Sequence, residues 1–261
     1  MPRFLRARAA ASRPSLRRSA AWGLLLLLLA VPARGDERVP DYAVDVEGVL
    51  YAVDCEKLVF TRMARIEARL ADGGVDRPVI SDLASTPDGY LYAISDTALY
   101  LVNLSDPSRS QRLGEHGLTG PWGMGAVGSV LVVNTSGGEV HLVDRRTAQT
   151  TRVGAMGAPW VASGDVAMAG ERLLSSVKDG ARREHLVTID PETGAAREVA
   201  PFRDPRGQAV GNVFGLIERG GVLYGLTSGG DVLEIDPATA RVKVLRRTGI
   251  RWWGATSYMR I

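Results

Sequence analysis

A short phrase recurs five times along the chain: a glycine, a β-rich run, a polar turn and a second β-rich run. In its clearest copy, residues 221–226 (GVLYGL) precede residues 232–239 (VLEIDPAT). Equivalent apolar positions are separated by 41, 39, 43 and 50 residues; these positions are Leu50, Leu91, Val130, Leu173 and Leu223. A repeat of about 40 residues that supplies four strands is typical of one blade of a β-propeller. The pattern therefore predicts an all-β chain.

The repeats predict five four-stranded blades, in residues 41–75, 79–115, 120–156, 160–200 and 211–247. Residues 43–46 fit the innermost strand of the first blade. Several later blades start with glycine and alanine, which suit strands that converge on a central axis. One more strand-like segment, residues 252–259, follows the fifth blade. It either displaces the N-terminal strand to close the ring or begins a sixth blade; we favour five blades, with six as the alternative.

The first 35 residues have the order of a secretory signal peptide. They begin with several arginines, continue with an apolar run over residues 20–31 and end in the small-residue exit Ala33-Arg34-Gly35. The apolar run is shorter than the roughly 20 residues that a helix needs to cross a bilayer. We therefore expect residues 1–35 to be removed on export. Residues 36–261 would then form a single propeller domain in the periplasm or outside the cell, without a membrane anchor.

The net charge changes sign once this segment is set aside. The whole chain carries 32 basic and 29 acidic residues, but seven arginines and no acidic residue lie within residues 1–35. The remainder has 25 basic and 29 acidic residues, a formal charge of −4. This balance argues against nucleic acid or anionic lipid as a partner. The sequence leaves the oligomeric state open.

Two phrases in the repeats resemble known propeller sequences. Residues 81–92 (SDLASTPDGYLY) and residues 233–239 (LEIDPAT) are similar to recurring phrases of NHL-, YVTN- and quinoprotein-like propellers. In repeat form the resemblance covers residues 36–261, and the chain looks most like exported bacterial propellers of this group. The resemblance implies the fold without an activity. Because the tryptophan-ringed blades and cofactor motifs of the quinone-dependent dehydrogenases are missing from the sequence, no cofactor is expected.

Three oxygen-bearing side chains fall near loops that lead into innermost strands, where propellers usually bind their ligands: Asp82, Asp165 and Asn212. Oxygen ligands that converge on the axis would suit Ca²⁺. Gluconolactonase-like propellers hold a central metal in a few acidic and amide side chains, so one interpretation of these residues is a metal-assisted reaction. The alternative is that these side chains cap turns or bind a neighbouring blade, as Asp and Asn commonly do.

Tryptophans cluster at or just before the blade starts. Trp122, Trp160 and Trp253 are candidates for a ligand-binding funnel, since aromatic rings around a channel mouth can stack on a sugar, a peptide or an aromatic ligand. The alternative is that tryptophans here pack between blades or plug the ring closure. The adjacent pair Trp252 and Trp253 is especially suited to that second role.

Sequence signatures of common catalytic sites are missing. The histidines form no zinc-binding pair, no Gly-x-Ser-x-Gly order occurs and no glycine-rich loop precedes a helix. We therefore expect an exported, non-enzymatic propeller that binds a protein, a peptide or an envelope glycan on one face of the disc. The alternative, from a different class, is a metal-assisted hydrolase or lactonase of the gluconolactonase type.

Overall fold

The computed structural model describes residues 40–258, and the predicted signal peptide, residues 1–35, lies outside the described residues. Within residues 40–258 the chain is built from β-strands, with one 3-10 turn at Pro107–Arg109. No helix in this range is long and apolar enough to cross a membrane. The described part of the chain is therefore all-β, as predicted.

Twenty strands form five antiparallel four-stranded sheets, which are the blades. Blade 1 begins with β1 (Asp41–Asp45), β2 (Val49–Asp54) and β3 (Val59–Arg65). A small hairpin follows, made of β4 (Ala68–Arg69) and β5 (Val75–Asp76). Blade 2 contains β6 (Ile80–Ser85), β7 (Leu91–Ser95), β8 (Ala98–Leu101) and β9 (Gln111–Glu115).

The next three blades repeat this plan. Blade 3 contains β10 (Pro121–Val127), β11 (Val130–Thr135), β12 (Glu139–Val143) and β13 (Thr150–Ala155). Blade 4 contains β14 (Val161–Ala169), β15 (Arg172–Lys178), β16 (Glu184–Ile189) and β17 (Ala196–Pro201). Blade 5 contains β18 (Val213–Arg219), β19 (Val222–Thr227), β20 (Asp231–Ile235) and β21 (Val242–Arg247). The prediction of five four-stranded propeller blades is confirmed.

The end of the chain completes blade 1. The last strand, β22 (Trp252–Thr256), pairs with β1, with Ala43 opposite Ala255 and Val44 opposite Gly254, and becomes the innermost strand of the sheet. The prediction that residues 43–46 form the innermost strand was therefore wrong, because β1 is the second strand. The alternative of a sixth blade is also wrong, since β22 belongs to the first. Both segments are short and apolar, so only their pairing distinguishes these outcomes.

Apolar side chains are buried in five clusters, each between consecutive blades. One cluster joins Leu50 of blade 1 to Leu83 of blade 2, and another joins Leu226 of blade 5 to Val49 of blade 1. The others join blades 2 and 3, blades 3 and 4, and blades 4 and 5. Every blade is therefore packed against two neighbours, which is the arrangement of a closed ring.

The closure between blades 5 and 1 is built around Trp252. Its side chain is fully buried, and its ring lies 5.2 Å from the ring of Tyr51 and 5.2 Å from that of Phe60. An ion pair between Arg219 of blade 5 and the buried Asp41 of blade 1 crosses the same boundary. Trp252 thus packs between blades at the ring closure, which was the alternative interpretation of the tryptophan cluster.

Replacing Trp252 with alanine should destabilise the closure strongly. Loss of a buried tryptophan leaves a cavity and costs about 3–5 kcal/mol, so we expect the free energy of unfolding in urea to fall by that amount. Trp122→Ala is the matched control, because Trp122 also lies at the start of an innermost strand but is 43% exposed. Its loss should cost about 1 kcal/mol or less. Equal losses for the two variants would contradict this account of the closure.

Candidate functional site at the channel mouth

The innermost strands β6, β10, β14, β18 and β22 are neighbours in a closed ring around the central channel. Each of them is interrupted by a β-bulge near its start. In β10, Pro121 pairs with Thr135 and Gly123 pairs with Asn134, which leaves Trp122 as an extra residue. A bulge bends the strand and changes the direction of the extra side chain. The bulge at the start of β10 therefore turns the Trp122 side chain out of the regular alternation of the strand.

Equivalent bulges occur in the other four blades. The extra residues are Ser81 in β6, Phe214 in β18 and Trp253 in β22. In β14 the interruption is longer and covers residues 163–165. Each blade thus has at least one residue near the start of its innermost strand that is not paired in the ladder. Three of these unpaired residues are aromatic.

Four of the five bulges line one cavity of about 210 Å³, which we call the channel-mouth pocket. Its lining residues are Trp122, Ser163, Gly164, Lys178, Phe214 and Trp253. The rings of Phe214 and Trp253 lie 6.0 Å apart and are inclined by 56° to each other. The pocket therefore has aromatic walls that come from three different blades.

Lys178 supplies a positive charge to this pocket. Its Nζ lies 3.3 Å from Oε1 of Glu184 and 5.6 Å from the centre of the Phe214 ring. Glu184 is opposite Lys178 in the β15–β16 ladder, and its side chain is 2% exposed. A carboxylate buried to this extent needs an ionic partner and hydrogen bonds. The ion pair therefore fixes the ammonium group against the aromatic wall.

The oxygens of Glu184 make two further hydrogen bonds. Oε1 accepts from Oγ of Ser163 at 2.8 Å, and Oε2 accepts from the main-chain N–H of Val213 at 2.9 Å. Both oxygens are therefore engaged inside the protein. Glu184 acts as a counter-ion that positions Lys178 and Ser163, and it is not exposed to bind a ligand itself.

The residue after the bulge in four innermost strands, and the last residue of the longer interruption in β14, belong to a second layer of the channel, which we call the axial layer. This layer consists of Asp82, Gly123, Asp165, Gly215 and Gly254. A Cβ atom on Gly254 would overlap the Asp82 carboxyl group, and one on Gly123 would overlap the Gly164 carbonyl oxygen. Gly254 therefore makes room for the Asp82 carboxyl group, and Gly123 lets the innermost strands of blades 3 and 4 approach closely.

Main-chain N–H groups of neighbouring blades bind both carboxyl groups. Oδ2 of Asp82 accepts from the N–H of Met124 in blade 3 at 2.7 Å. Oδ2 of Asp165 accepts from the N–H of Leu216 in blade 5 at 2.6 Å. Each Oδ1 accepts from the next residue of its own strand, at 2.8 and 2.6 Å. Asp82 and Asp165 therefore bind neighbouring blades, which was the alternative to a metal site in the sequence analysis.

Asp82 and Asp165 also bind each other. Both residues are fully buried, and their carboxyl groups are hydrogen-bonded together. Burial, and for Asp165 also the charge of Asp82, raises the pKa of each carboxyl group well above the ordinary value. Two carboxyl groups in contact do not both ionise readily, which favours a proton shared between them.

The axial carboxyl groups fit this proton better than they fit Ca²⁺. Calcium takes about six to eight oxygen ligands, whereas these oxygens already accept N–H groups. Asn212, the third predicted ligand, is exposed in the loop before β18 and has a left-handed backbone with φ of 59°. Among residues 40–258, no group of three or more His, Cys, Asp or Glu side chains is placed to hold a metal.

Four of the six predicted site residues meet at the channel: Trp122, Trp253, Asp82 and Asp165. The other two lie outside the pocket lining. Trp160 precedes β14, and its ring packs edge-on against the ring of His185 at 5.0 Å. Asn212 lies two residues before Phe214, which takes the place in the pocket that the sequence had suggested for Asn212.

Sequence reasoning missed Phe214, Lys178 and Ser163. A signal for Phe214 was present, because the pairs Trp122-Gly123, Phe214-Gly215 and Trp253-Gly254 repeat an aromatic residue followed by glycine at three blade starts. Lys178 carries no such signal. It lies at the end of a second strand, and only the β14 bulge and the ladder pairing bring it to the pocket.

No family model matches the chain, and no curated protein matches it significantly. Among solved structures, it is similar to the glutaminyl cyclase of Myxococcus xanthus, with 22% identity over 68% of this chain and 69% of that chain and a TM-score of 0.48. It is also similar to a Bacteroides thetaiotaomicron protein of unknown function, with 13% identity over 85% of this chain and 64% of that chain and a TM-score of 0.49. Similarity at this level assigns neither an enzymatic nor a binding activity.

The axial carboxyl pair predicts that stability falls as pH rises. The pKa values of Asp82 and Asp165 in the fold lie above the ordinary value of 3.8. The stability that they contribute is therefore complete below that value and is lost as pH rises through the folded pKa values. In urea unfolding between pH 5 and pH 9, Asp82→Asn should flatten this decline, by up to about 1.4 kcal/mol per pH unit for each proton involved.

Asp144→Asn is the control for this experiment. Hydrogen bonds from the main-chain N–H groups of Arg146 and Thr147 lower the pKa of Asp144. Its contribution is therefore lost only at acid pH, and its variant should follow the wild-type slope between pH 5 and pH 9. Asp165→Asn provides a second test of the pair. A wild-type slope in both axial variants would show that the carboxyl groups do not share a proton.

Calcium should leave the melting temperature unchanged. A metal that binds only the folded state stabilises it by RT ln(1 + [L]/Kd), so even modest affinity would be visible in a thermal melt. We expect the protein to melt at the same temperature in EDTA and in excess Ca²⁺, because the axial oxygens are already bound. A clear rise with Ca²⁺ that is lost in Asp82→Asn would instead establish the axial layer as a metal site.

Proposed function

We propose that this chain is an exported, non-enzymatic binding protein whose ligand occupies the channel-mouth pocket. The observation that carries the proposal is the repeated bulge, which presents Trp122, Phe214 and Trp253 from three blades around one cavity. Concave, mostly apolar sites with a few fixed polar groups are the usual form of a ligand site. Lys178 and Ser163 supply those polar groups here.

Packing alone does not account for the exposed ring. The inter-blade core at the closure is filled by Trp252, which is fully buried, whereas Trp122 is 43% exposed at the opening of the pocket. Exposed large aromatic side chains on a concave surface commonly mark binding sites. The exposed ring therefore supports a binding role over the purely structural alternative.

The pocket offers little to a hydrolytic mechanism. Its lining contains no histidine or carboxylate, and the nearby carboxylate of Glu184 is bound on both oxygens. The histidines His116, His141 and His185 lie outside the lining. No observation on the described residues favours the metal-assisted hydrolase, so we do not propose it.

Because the N-terminal segment predicts export, the first ligand source to test is the cell envelope. Protein purified from cells that express the full chain should co-sediment with insoluble peptidoglycan sacculi. Trp122→Ala should weaken this retention roughly tenfold or more, as for an aromatic hot spot. Tyr90→Ala is the matched control, because Tyr90 is 49% exposed and lies beyond the other end of β6. Retention that is absent, or equal in all three proteins, would contradict the proposed site.

A further inference from the structure

We infer that the channel-mouth pocket binds a neutral sugar ring, such as one residue of an envelope glycan. This inference rests on the proposed function and specifies the chemistry of the ligand. Three properties of the pocket lead to it: its size, its charge balance and the angle between its aromatic walls.

The size of the pocket limits the ligand to about one ring. Sites for drug-sized molecules usually measure about 300–1,000 Å³, whereas this cavity measures about 210 Å³. A single six-membered ring fits such a space, while a folded peptide segment or a dinucleotide does not. Because part of the Trp122 side chain is exposed to solvent, a longer glycan can continue along it outside the pocket.

The charge balance favours a neutral ligand. The ammonium of Lys178 is already paired with Glu184, so an anionic ligand would lose its hydration without meeting an unpaired cation. A cationic ligand has no free carboxylate to meet, because both oxygens of Glu184 are bound inside the protein. Lys178 nevertheless has three N–H donors and spends one on Glu184. Uncharged hydroxyl or carbonyl oxygens suit the donors that remain.

The angle between the walls favours a puckered ring over a flat one. The rings of Phe214 and Trp253 are inclined by 56°, so a planar aromatic ligand cannot stack on both at once. A sugar ring carries C–H bonds on both faces, and their positive hydrogens suit the negative faces of aromatic rings. Its hydroxyl groups can then reach Lys178 and Oγ of Ser163, which a hydrocarbon ring would leave without a partner.

The test compares four probes that differ in charge or shape. N-acetylglucosamine is neutral, glucosamine is its cationic counterpart, glucuronic acid is an anionic sugar and phenol is a neutral flat ring. Saturation-transfer NMR on the full-chain protein measures the affinity of each probe in the millimolar range. We expect N-acetylglucosamine to bind roughly tenfold more tightly than the two charged sugars, and more tightly than phenol.

Variants connect this binding to the pocket. Trp122→Ala should abolish the saturation transfer to N-acetylglucosamine, and Tyr90→Ala should leave it intact. The double variant Lys178→Met with Glu184→Gln removes the ion pair without leaving a buried charge unpaired. It should lower the affinity for N-acetylglucosamine about fivefold or more, because hydrogen bonds to the ammonium are lost.

The outcomes separate the inference from the proposed function. Preferred binding of N-acetylglucosamine that depends on Trp122 supports both. Equal or tighter binding of phenol or a charged sugar, if it depends on Trp122, overturns the inference and leaves the proposed function standing. If Trp122→Ala loses sacculus binding but no sugar probe binds the wild-type protein, the inference is likewise overturned and the proposed function stands. If neither sacculi nor probes bind in a manner that depends on Trp122, both are wrong.

Discussion

Crowding at the axis is the constraint on which the rest of the structure depends. Five strands converge there, and their main-chain N–H groups are cut off from water. Buried N–H groups need acceptors, and the carboxyl groups of Asp82 and Asp165 supply them for Met124 and Leu216. Gly254 makes room for the Asp82 carboxyl group, and Gly123 and Gly215 allow neighbouring innermost strands to approach closely. Because burial raises the pKa of both carboxyl groups, the two groups can lie in contact without carrying two charges.

The channel-mouth pocket is lined mainly by residues that directly precede this layer in the chain. Asp82 and Asp165 are inaccessible to solvent, whereas the bulge residues Trp122, Phe214 and Trp253 line the pocket. In four innermost strands a bulge lies directly before the axial residue and turns its extra side chain out of the ladder. Ser163 and Gly164 of blade 4 complete the lining beside the aromatic walls. The same feature of each blade thus produces both the layer and the cavity.

The blade plan was predictable from sequence because it is periodic, and a repeat near 40 residues has few structural interpretations. Ring closure was not, since residues 43–46 and 252–259 both look like innermost strands and only long-range pairing decides between them. Trp122 and Trp253 could be chosen by their position at blade starts. Lys178 could not, because its place depends on a bulge in β14 and on its ladder partner Glu184. Features that follow from the periodic repeat could therefore be predicted from the sequence. Features that depend on a bulge or on long-range strand pairing could not.

The closure of blade 1 by β22 also governs when this protein can finish folding. Until β22 arrives, β1 lacks its inner partner, and the core between blades 5 and 1 lacks Trp252. A chain that emerges from the ribosome N-terminus first can pair the strands of blades 2 to 5 in order, but it cannot close the ring before its last strand is free. Closure of the ring therefore depends on β22 being present and free to pair with β1. A chain cut short by premature termination would keep an open sheet edge that quality-control proteases and chaperones can recognise.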